Sequence, residues 1–189
     1  TGFGRTGKMF GLEHWDLEPD IMQFSKGITS GYFPMGGIGL SEQIAETIEN
    51  AEMPYLHAFT NNGHPVGCAV ALANIDLIES EDFVGQAASK GEHLLSKLRL
   101  AFADHPHVGD IRGKGLMCGV EFVLDRATKA SFPEGEKIGA RIHVETQKRG
   151  LFTRVRGDTY CLAPPIITKT EQLDWVVDVL VESVSEVLG

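Results

Sequence analysis

The chain has 189 residues, of which 42% are hydrophobic, so it can bury a core as one large domain or as parts of two. Its formal net charge of −9 leaves no basic surface to neutralise phosphate, which argues against nucleic acid or an anionic membrane as a partner. The three cysteines, Cys68, Cys118 and Cys161, are widely spaced and form no CxxC pair. Each lies in an apolar neighbourhood, so we predict buried free thiols in a reducing, cytoplasmic compartment.

A glycine-rich stretch opens the chain. Residues 2–8, GFGRTGK, fit the GxxxxGK spacing of a phosphate-binding P-loop. That motif needs a Ser or Thr at the next position, where this chain has Met9, and it needs a strand before it and a helix after it. Neither element is indicated, so we predict an ordered loop and keep a P-loop nucleotide binder only as an alternative, testable by nucleotide titration with and without Mg²⁺.

A lysine follows the first predicted strand. The run at residues 21–24, Ile-Met-Gln-Phe, is short, apolar and bounded by turn residues, as is typical of a buried strand in an α/β protein. Lys26 lies just past its C-terminal end, where ligands gather in open α/β sheets. A lysine there can act as a Schiff-base amine, although an ordinary surface lysine is the alternative. The nearby glycines let the backbone turn tightly: Gly27, Gly31, Gly36 and Gly37.

The next elements are a strand at residues 38–40 and a helix at 42–48. A polar loop, HAFTNNG at residues 57–63, then leads into a helix from Pro65 to about residue 78, because proline is well tolerated in a first helical turn. The N-terminus of a helix can bind an anion through its free backbone N–H groups. Thr60 is therefore either an anion ligand or only a loop or capping hydroxyl. The two nearby histidines have no third ligand of suitable spacing, so we predict no metal site.

The second half of the sequence alternates helices and strands, which predicts a small α+β domain. Leucines recur at helical spacing in the first of these helices, and Val120 and Phe122 alternate with polar or small residues in one strand. A capping-box spacing from Thr168 to Glu171 precedes the final apolar stripe. We predict helices at residues 83–103, 136–149 and 171–188, and strands at 108–112, 116–124, 151–155 and 160–162.

Two arginines two residues apart mark the third predicted strand of this region. Arg154 and Arg156 face the same side if the strand is regular. Two guanidinium groups on one side can bind a carboxylate, whereas a salt bridge to Asp158 or Glu121 is the alternative.

Four segments, in this order, resemble those of the class III (subgroup II) aminotransferases, which depend on pyridoxal 5′-phosphate (PLP). They are TGFGRTG at residues 1–7, SKGITSGYFPMGG at 25–37, HAFTNNGHPVGCAVALANI at 57–75 and GLFTRVRGDTYCLAPPI at 150–166. The last segment is most similar to the ω-transaminases of the amine– or β-alanine–pyruvate type. The resemblance implies a fold-type I PLP enzyme of the α/β class. Residues 1–80 would be the C-terminal part of its large domain, and residues 81–189 its small C-terminal domain.

The resemblance also implies roles for individual residues. Lys26 matches the Schiff-base lysine, and the motif position of Thr60, with the backbone amide of Phe59 or Thr60, binds the PLP phosphate of the other subunit, which requires a homodimer. Arg154 matches the mobile arginine that binds a substrate carboxylate, and Arg156 is the second candidate. The substrates implied are an amine or ω-amino acid and a 2-oxo acid such as pyruvate.

The acidic residue that such enzymes place on the pyridine nitrogen falls, in the family, before the first matching segment. We therefore expect this chain to be the C-terminal part of a longer protein, and the isolated 189 residues to be inactive. The alternatives are an aminomutase or another ω-amino-acid aminotransferase of the same family, and a truncated fragment without catalysis.

Overall fold

The structure is a computed structural model that describes all residues, Thr1–Gly189, and it divides the chain into two compact units. The first unit contains residues 1–4 and 8–84, and the second contains residues 5–7 and 85–189. In chain order the elements are β1 Ile21–Ser25, β2 Gly36–Leu40, α1 Glu42–Glu49, α2 Pro65–Ser80, α3 Phe83–Ala101, β3 Val108–Lys114, β4 Met117–Phe122, α4 Ile138–Lys148, β5 Arg154–Arg156, β6 Thr159–Leu162 and α5 Thr170–Leu188.

The first unit contains a two-stranded antiparallel sheet, in which Ile21 of β1 pairs with Leu40 of β2 and Ser25 pairs with Gly36. The prediction that β1 is a buried strand is wrong. Its residues alternate between exposed and half-buried, and Ile21 is 55% exposed. An apolar run indicates burial only where another layer covers each face, and within this unit one face of β1 is left uncovered.

A small hydrophobic core holds the first unit together. Its buried members are Phe3, Ile28, Ala71 and Ile78. Ala71 and Ile78 lie seven residues apart on α2, so both face the same side of that helix. Ile28 lies in the short 3₁₀ turn that follows β1. Its place in this core, together with Ala71 and Ile78, ties the turn to α2.

The second unit is a four-stranded antiparallel sheet in the order β3-β4-β6-β5, together with three helices. The predicted alternation in β4 is confirmed, because Val120 and Phe122 are buried. The predicted apolar stripe of α5 is confirmed for Leu173 and Leu180, which are fully buried in the same core. Burying such side chains stabilises the unit by about 1.5–3 kcal/mol each.

Several predicted boundaries in the second unit are wrong. The strand expected at residues 151–155 is only Arg154–Arg156, and the helix expected from residue 136 begins at Ile138, because Lys137 has a left-handed φ of 47°. The capping box also shifts by one residue. The Lys169 N–H donates to Gln172 Oε1 at 2.9 Å, in place of the predicted pair from residues 168 and 171.

Residues 5–7 of the opening loop belong to the second unit. The Arg5 guanidinium donates to the carbonyls of Leu116 and Pro164, and the Leu116 N–H donates back to the Arg5 carbonyl at 3.1 Å. Burial lowers the pKa of the Arg5 guanidinium. A five-residue 3₁₀ helix, Gly11–Trp15, follows the loop in place of the α-helix that a P-loop requires, so the nucleotide-binding alternative loses its structural context.

Candidate active site

Lys26 lies directly after β1, and its backbone is left-handed, with φ of 54°. This conformation costs a non-glycine residue about 1–2 kcal/mol, and such residues cluster at functional sites. The Thr29 N–H donates to the Lys26 carbonyl at 3.3 Å, which closes the 3₁₀ turn Lys26–Ile28. The side chain is exposed and its amine has no hydrogen-bond or ion-pair partner. The turn therefore presents an unengaged primary amine.

A cleft of about 820 Å³ opens beside this amine within the first unit. Lys26 lines it together with both strands of the hairpin and the loop before α2. Gly37 is needed on β2, because a Cβ there would lie 2.4 Å from Cε2 of the Phe24 ring. The lining residues include Phe24, Ser25, Lys26, Gly36, Gly37, His57, Phe59 and Asn62.

The composition of the cleft decides which parts of PLP it fits. The exposed amine of Lys26 suits the aldehyde carbon of PLP, and the aromatic and glycine residues leave room for a flat ring. No aspartate or glutamate lines the cleft, so the lining residues offer no carboxylate to a pyridine nitrogen. The residues present therefore fit the aldehyde end of the cofactor and leave the ring nitrogen without an acid.

The loop before α2 carries two of the predicted site residues. Phe59 lines the cleft and is 66% exposed, whereas Thr60 is exposed and is not among the lining residues. The Asn62 N–H donates to the Phe59 carbonyl at 3.0 Å. Thr60 does not cap α2, because the N-cap is His64, whose Nδ1 accepts from the Gly67 N–H at 3.4 Å. The capping alternative for Thr60 is therefore wrong.

Arg154 and Arg156 lie on β5 in the second unit, so they belong to a different unit from Lys26. Their Cα partners on β6 are Cys161 and Thr159, and both arginines are exposed, which places them on one face as predicted. Neither forms an ion pair, so the predicted alternative of a salt bridge is wrong. The strand therefore presents two free guanidinium groups.

The acids that could have paired with these arginines have other partners. Glu121 accepts from Arg112, which also donates to Asp110 at 2.8 Å. The hydrogen bonds to Asp110 and then Glu121 raise the pKa of the Arg112 guanidinium. Asp158 Oδ1 accepts from the Gly139 N–H at 2.9 Å.

Asn74 of α2 contacts the lysine turn directly, and no sequence motif points to it. Its Nδ2 donates to the Gly27 carbonyl at 2.8 Å and to the Ile28 carbonyl at 3.1 Å. The Ser30 hydroxyl donates to Asn74 Oδ1 at 2.6 Å. The only signal in the sequence is a polar residue inside the apolar run AVALANI.

All three cysteines are free thiols, as predicted, but only Cys118 is buried, so the predicted burial is wrong for Cys68 and Cys161, which are half-buried. Burial raises the pKa of the Cys118 thiol to about 11. No group of three or more His, Cys, Asp or Glu side chains is arranged to hold a metal ion. None of the helices combines the length and the apolar character needed to cross a bilayer.

Comparison with known proteins gives a consistent picture. The sequence profile of the class-III aminotransferases matches residues 1–184. The structure superposes with a TM-score of 0.93 on an (S)-enantioselective ω-transaminase from Thermomicrobium roseum, at 43% identity, covering all of this chain and 42% of that one.

Two other relatives are named for different substrates. The chain is 40% identical over 192 residues to adenosylmethionine-8-amino-7-oxononanoate aminotransferase of Geobacter sulfurreducens, covering 100% of this chain and 42% of the relative. It is 37% identical over 173 residues to putrescine–pyruvate aminotransferase of Pseudomonas aeruginosa, covering 92% of this chain and 38% of the relative. The chain therefore spans about two fifths of the length of these relatives. It has the α/β fold of the fold-type I PLP enzymes and belongs to the class-III aminotransferases.

Proposed function

We propose that this chain belongs to a PLP-dependent transaminase that moves an amino group between an amine or ω-amino acid and a 2-oxo acid such as pyruvate. The observation that carries the proposal is Lys26, an unpaired amine that has a left-handed backbone and lines a cleft. That site sits in a chain of the class-III aminotransferase family, whose relatives include transaminases of amines.

When bound, PLP supplies the electron-withdrawing ring that this type of chemistry needs. Lys26 Nζ would hold the cofactor and, once an incoming amine has taken its place, would move a proton to or from the substrate carbon. Thr60 and the backbone amide at residue 59 or 60 would hold the phosphate in the cleft of a partner subunit. The exposed position of Thr60, outside the lining of its own cleft, is compatible with that role. The proposal therefore includes a homodimer with shared sites.

Arg154 would bind the carboxylate of the 2-oxo acid. Its guanidinium is exposed and unpaired, so binding a carboxylate breaks no existing ion pair. Arg156 has the same exposure and lies on the same face, so it serves as a matched comparison for the assignment.

The proposal assigns residues 1–80 to the cofactor-binding domain and residues 81–189 to the small domain, in a cytoplasmic enzyme. The free thiols favour a reducing compartment. The lack of an acid in the cleft favours the expectation that the 189 residues alone are inactive.

A transamination assay on the full-length gene product tests this function. We expect amino transfer from primary amines or ω-amino acids to pyruvate, and loss of turnover in Lys26→Ala because the proton-moving amine is gone. The same assay with an aminomutase substrate and no 2-oxo acid separates transfer from rearrangement. A folded, cofactor-loaded protein that transfers no amino group to any 2-oxo acid would contradict the proposal.

The arginine assignment has its own test. We expect Arg154→Leu to raise the KM for pyruvate by about 10- to 150-fold, as loss of a charged hydrogen bond of about 1.5–3 kcal/mol implies. Arg156→Leu is the matched control and should change it much less. The reverse order of effects would move the role to Arg156.

A further inference from the structure

The turn that carries Lys26 combines several unfavourable backbone conformations. Lys26 has φ of 54° and Ser30 has φ of 49°, both in the left-handed region. Gly31 follows with φ of 84°, which only glycine adopts readily. Two left-handed L-residues within five positions persist only if contacts outside the turn hold them.

One side chain from outside the turn donates hydrogen bonds to its backbone. The Lys26 carbonyl accepts from the Thr29 N–H inside the turn, but the carbonyls of Gly27 and Ile28 both accept from Asn74 Nδ2, at 2.8 and 3.1 Å. Asn74 therefore donates to both carbonyls of the three-residue turn that have no partner within the turn. A carbonyl left without a partner costs about 1–3 kcal/mol when it is buried.

The amide of Asn74 is itself fixed in direction. The Ser30 hydroxyl donates to its Oδ1 at 2.6 Å, so the amide group is bonded at its oxygen and at its nitrogen. Its backbone sits on α2, one turn from Ala71 and Ile78, which are buried in the core of the first unit. The segment between the two left-handed residues is thus bonded to a packed helix, through the carbonyls of Gly27 and Ile28 and through the hydroxyl of Ser30.

We infer that Asn74 is a positioning residue for Lys26: its amide holds the left-handed turn and so fixes where the lysine amine enters the cleft. This inference deepens the proposed function and rests on it. Without the two donated bonds, Lys26 can return to an ordinary negative φ. That rotation swings the long side chain away from its present direction. Misplacement of a reacting group by about 1 Å can lower a rate by about 100-fold.

The test uses the full-length gene product and the variant Asn74→Asp. Aspartate has the same shape and keeps the bond from Ser30, but it donates nothing and presents a carboxylate to two carbonyls. We expect a lower fraction of Lys26 carrying a pyridoxyl group after borohydride reduction. We also expect a shifted pH midpoint of the visible band of bound cofactor, and kcat reduced by about 100-fold with the KM for the amine changed far less.

The matched control is Asp76→Asn, the reverse substitution two residues along α2, at an exposed side chain without a partner. This variant should match the unmodified protein in the pyridoxyl fraction on Lys26, in the pH midpoint of the visible band and in kcat. The thermal unfolding midpoints of both variants should lie within a few degrees of that of the unmodified protein. If Asn74→Asp behaves like the control, Asn74 does not position Lys26 and the inference is overturned.

Two further outcomes are also decisive. If Asn74→Asp does not fold, Asn74→Gln takes its place, because it keeps the amide and moves the donor by one methylene. Normal labelling and pH behaviour of Lys26 in that variant would overturn the inference. If the unmodified protein shows no pyridoxyl group on Lys26, the proposed function fails first and this inference fails with it.

Discussion

The backbone contact between α3 and the β3–β4 turn gives a prediction that runs against helix propensity. Replacing a glycine inside a helix by alanine normally stabilises a protein by about 0.5–1 kcal/mol. Gly91→Ala should do the opposite. A Cβ at this position would lie 2.2 Å from the carbonyl carbon of Gly115 and 2.3 Å from its oxygen.

The distances in the structure set the magnitude of the destabilisation expected for Gly91→Ala. Carbon atoms in contact are normally about 3.5–4.0 Å apart, so the Cβ would overlap the turn by more than ~1 Å. The obstacle is backbone and cannot rotate away. The other side of Gly115 is blocked too, because a Cβ there would lie 2.4 Å from the Thr6 carbonyl carbon. We therefore expect a cost at or above the upper end of overpacking, about 3 kcal/mol, and a net destabilisation of roughly 2–3 kcal/mol after the helix gain.

Cys118 offers a local assay for this change. Its thiol is buried beside the same turn, with Sγ 3.7 Å from the Gly115 carbonyl oxygen, so a thiol reagent reaches it only when the unit opens. Since about 1.4 kcal/mol corresponds to a tenfold change, labelling of Cys118 in Gly91→Ala should be faster by roughly 30- to 150-fold. Ser96→Ala, on the exposed side of the same helix, should label no faster than the unmodified protein. Equally slow labelling of Gly91→Ala would refute the steric argument.

Two other predictions concern the second unit. The Tyr160 hydroxyl donates to Thr146 Oγ1 at 2.6 Å with both residues fully buried, and burial raises the pKa of Tyr160 to about 12. A double-mutant cycle of Tyr160→Phe and Thr146→Val should give a coupling free energy of unfolding of about 1 kcal/mol, whereas additive effects would contradict the bond. The hydrogen bond to His93, then that to Lys97, holds the pKa of Asp174 below its ordinary 3.8. Its stabilising contribution is present above the ordinary pKa and lost as the pH falls through the lowered one. Asp174→Asn should therefore flatten the acid side of a stability–pH curve, and an unchanged curve would show that this carboxylate contributes nothing.

Patterns that depend on neighbouring residues could be predicted from the sequence. The alternation in β4 and the stripe of α5 follow from the periods of a strand and a helix, and the structure places both where expected. The position of Lys26 just after a strand also follows from local composition.

Features that depend on distant residues could not be predicted in this way. Asn74 contacts carbonyls 46 and 47 residues away, and no local pattern indicates such a bond. The exposed face of β1 depends on which layers cover it, and the left-handed φ of Lys26 depends on the contacts that hold it. The assignment of residues 5–7 to the second unit likewise rests on bonds to Leu116 and Pro164, more than a hundred residues later.

The most direct test of the central claim is to find which lysine carries the cofactor. The full-length gene product would be loaded with PLP, reduced with borohydride and digested, and the peptides weighed. We expect a pyridoxyl group on Lys26 and on no other lysine. A folded protein that carries the group elsewhere, for example on Lys8, or carries none at all, would contradict it.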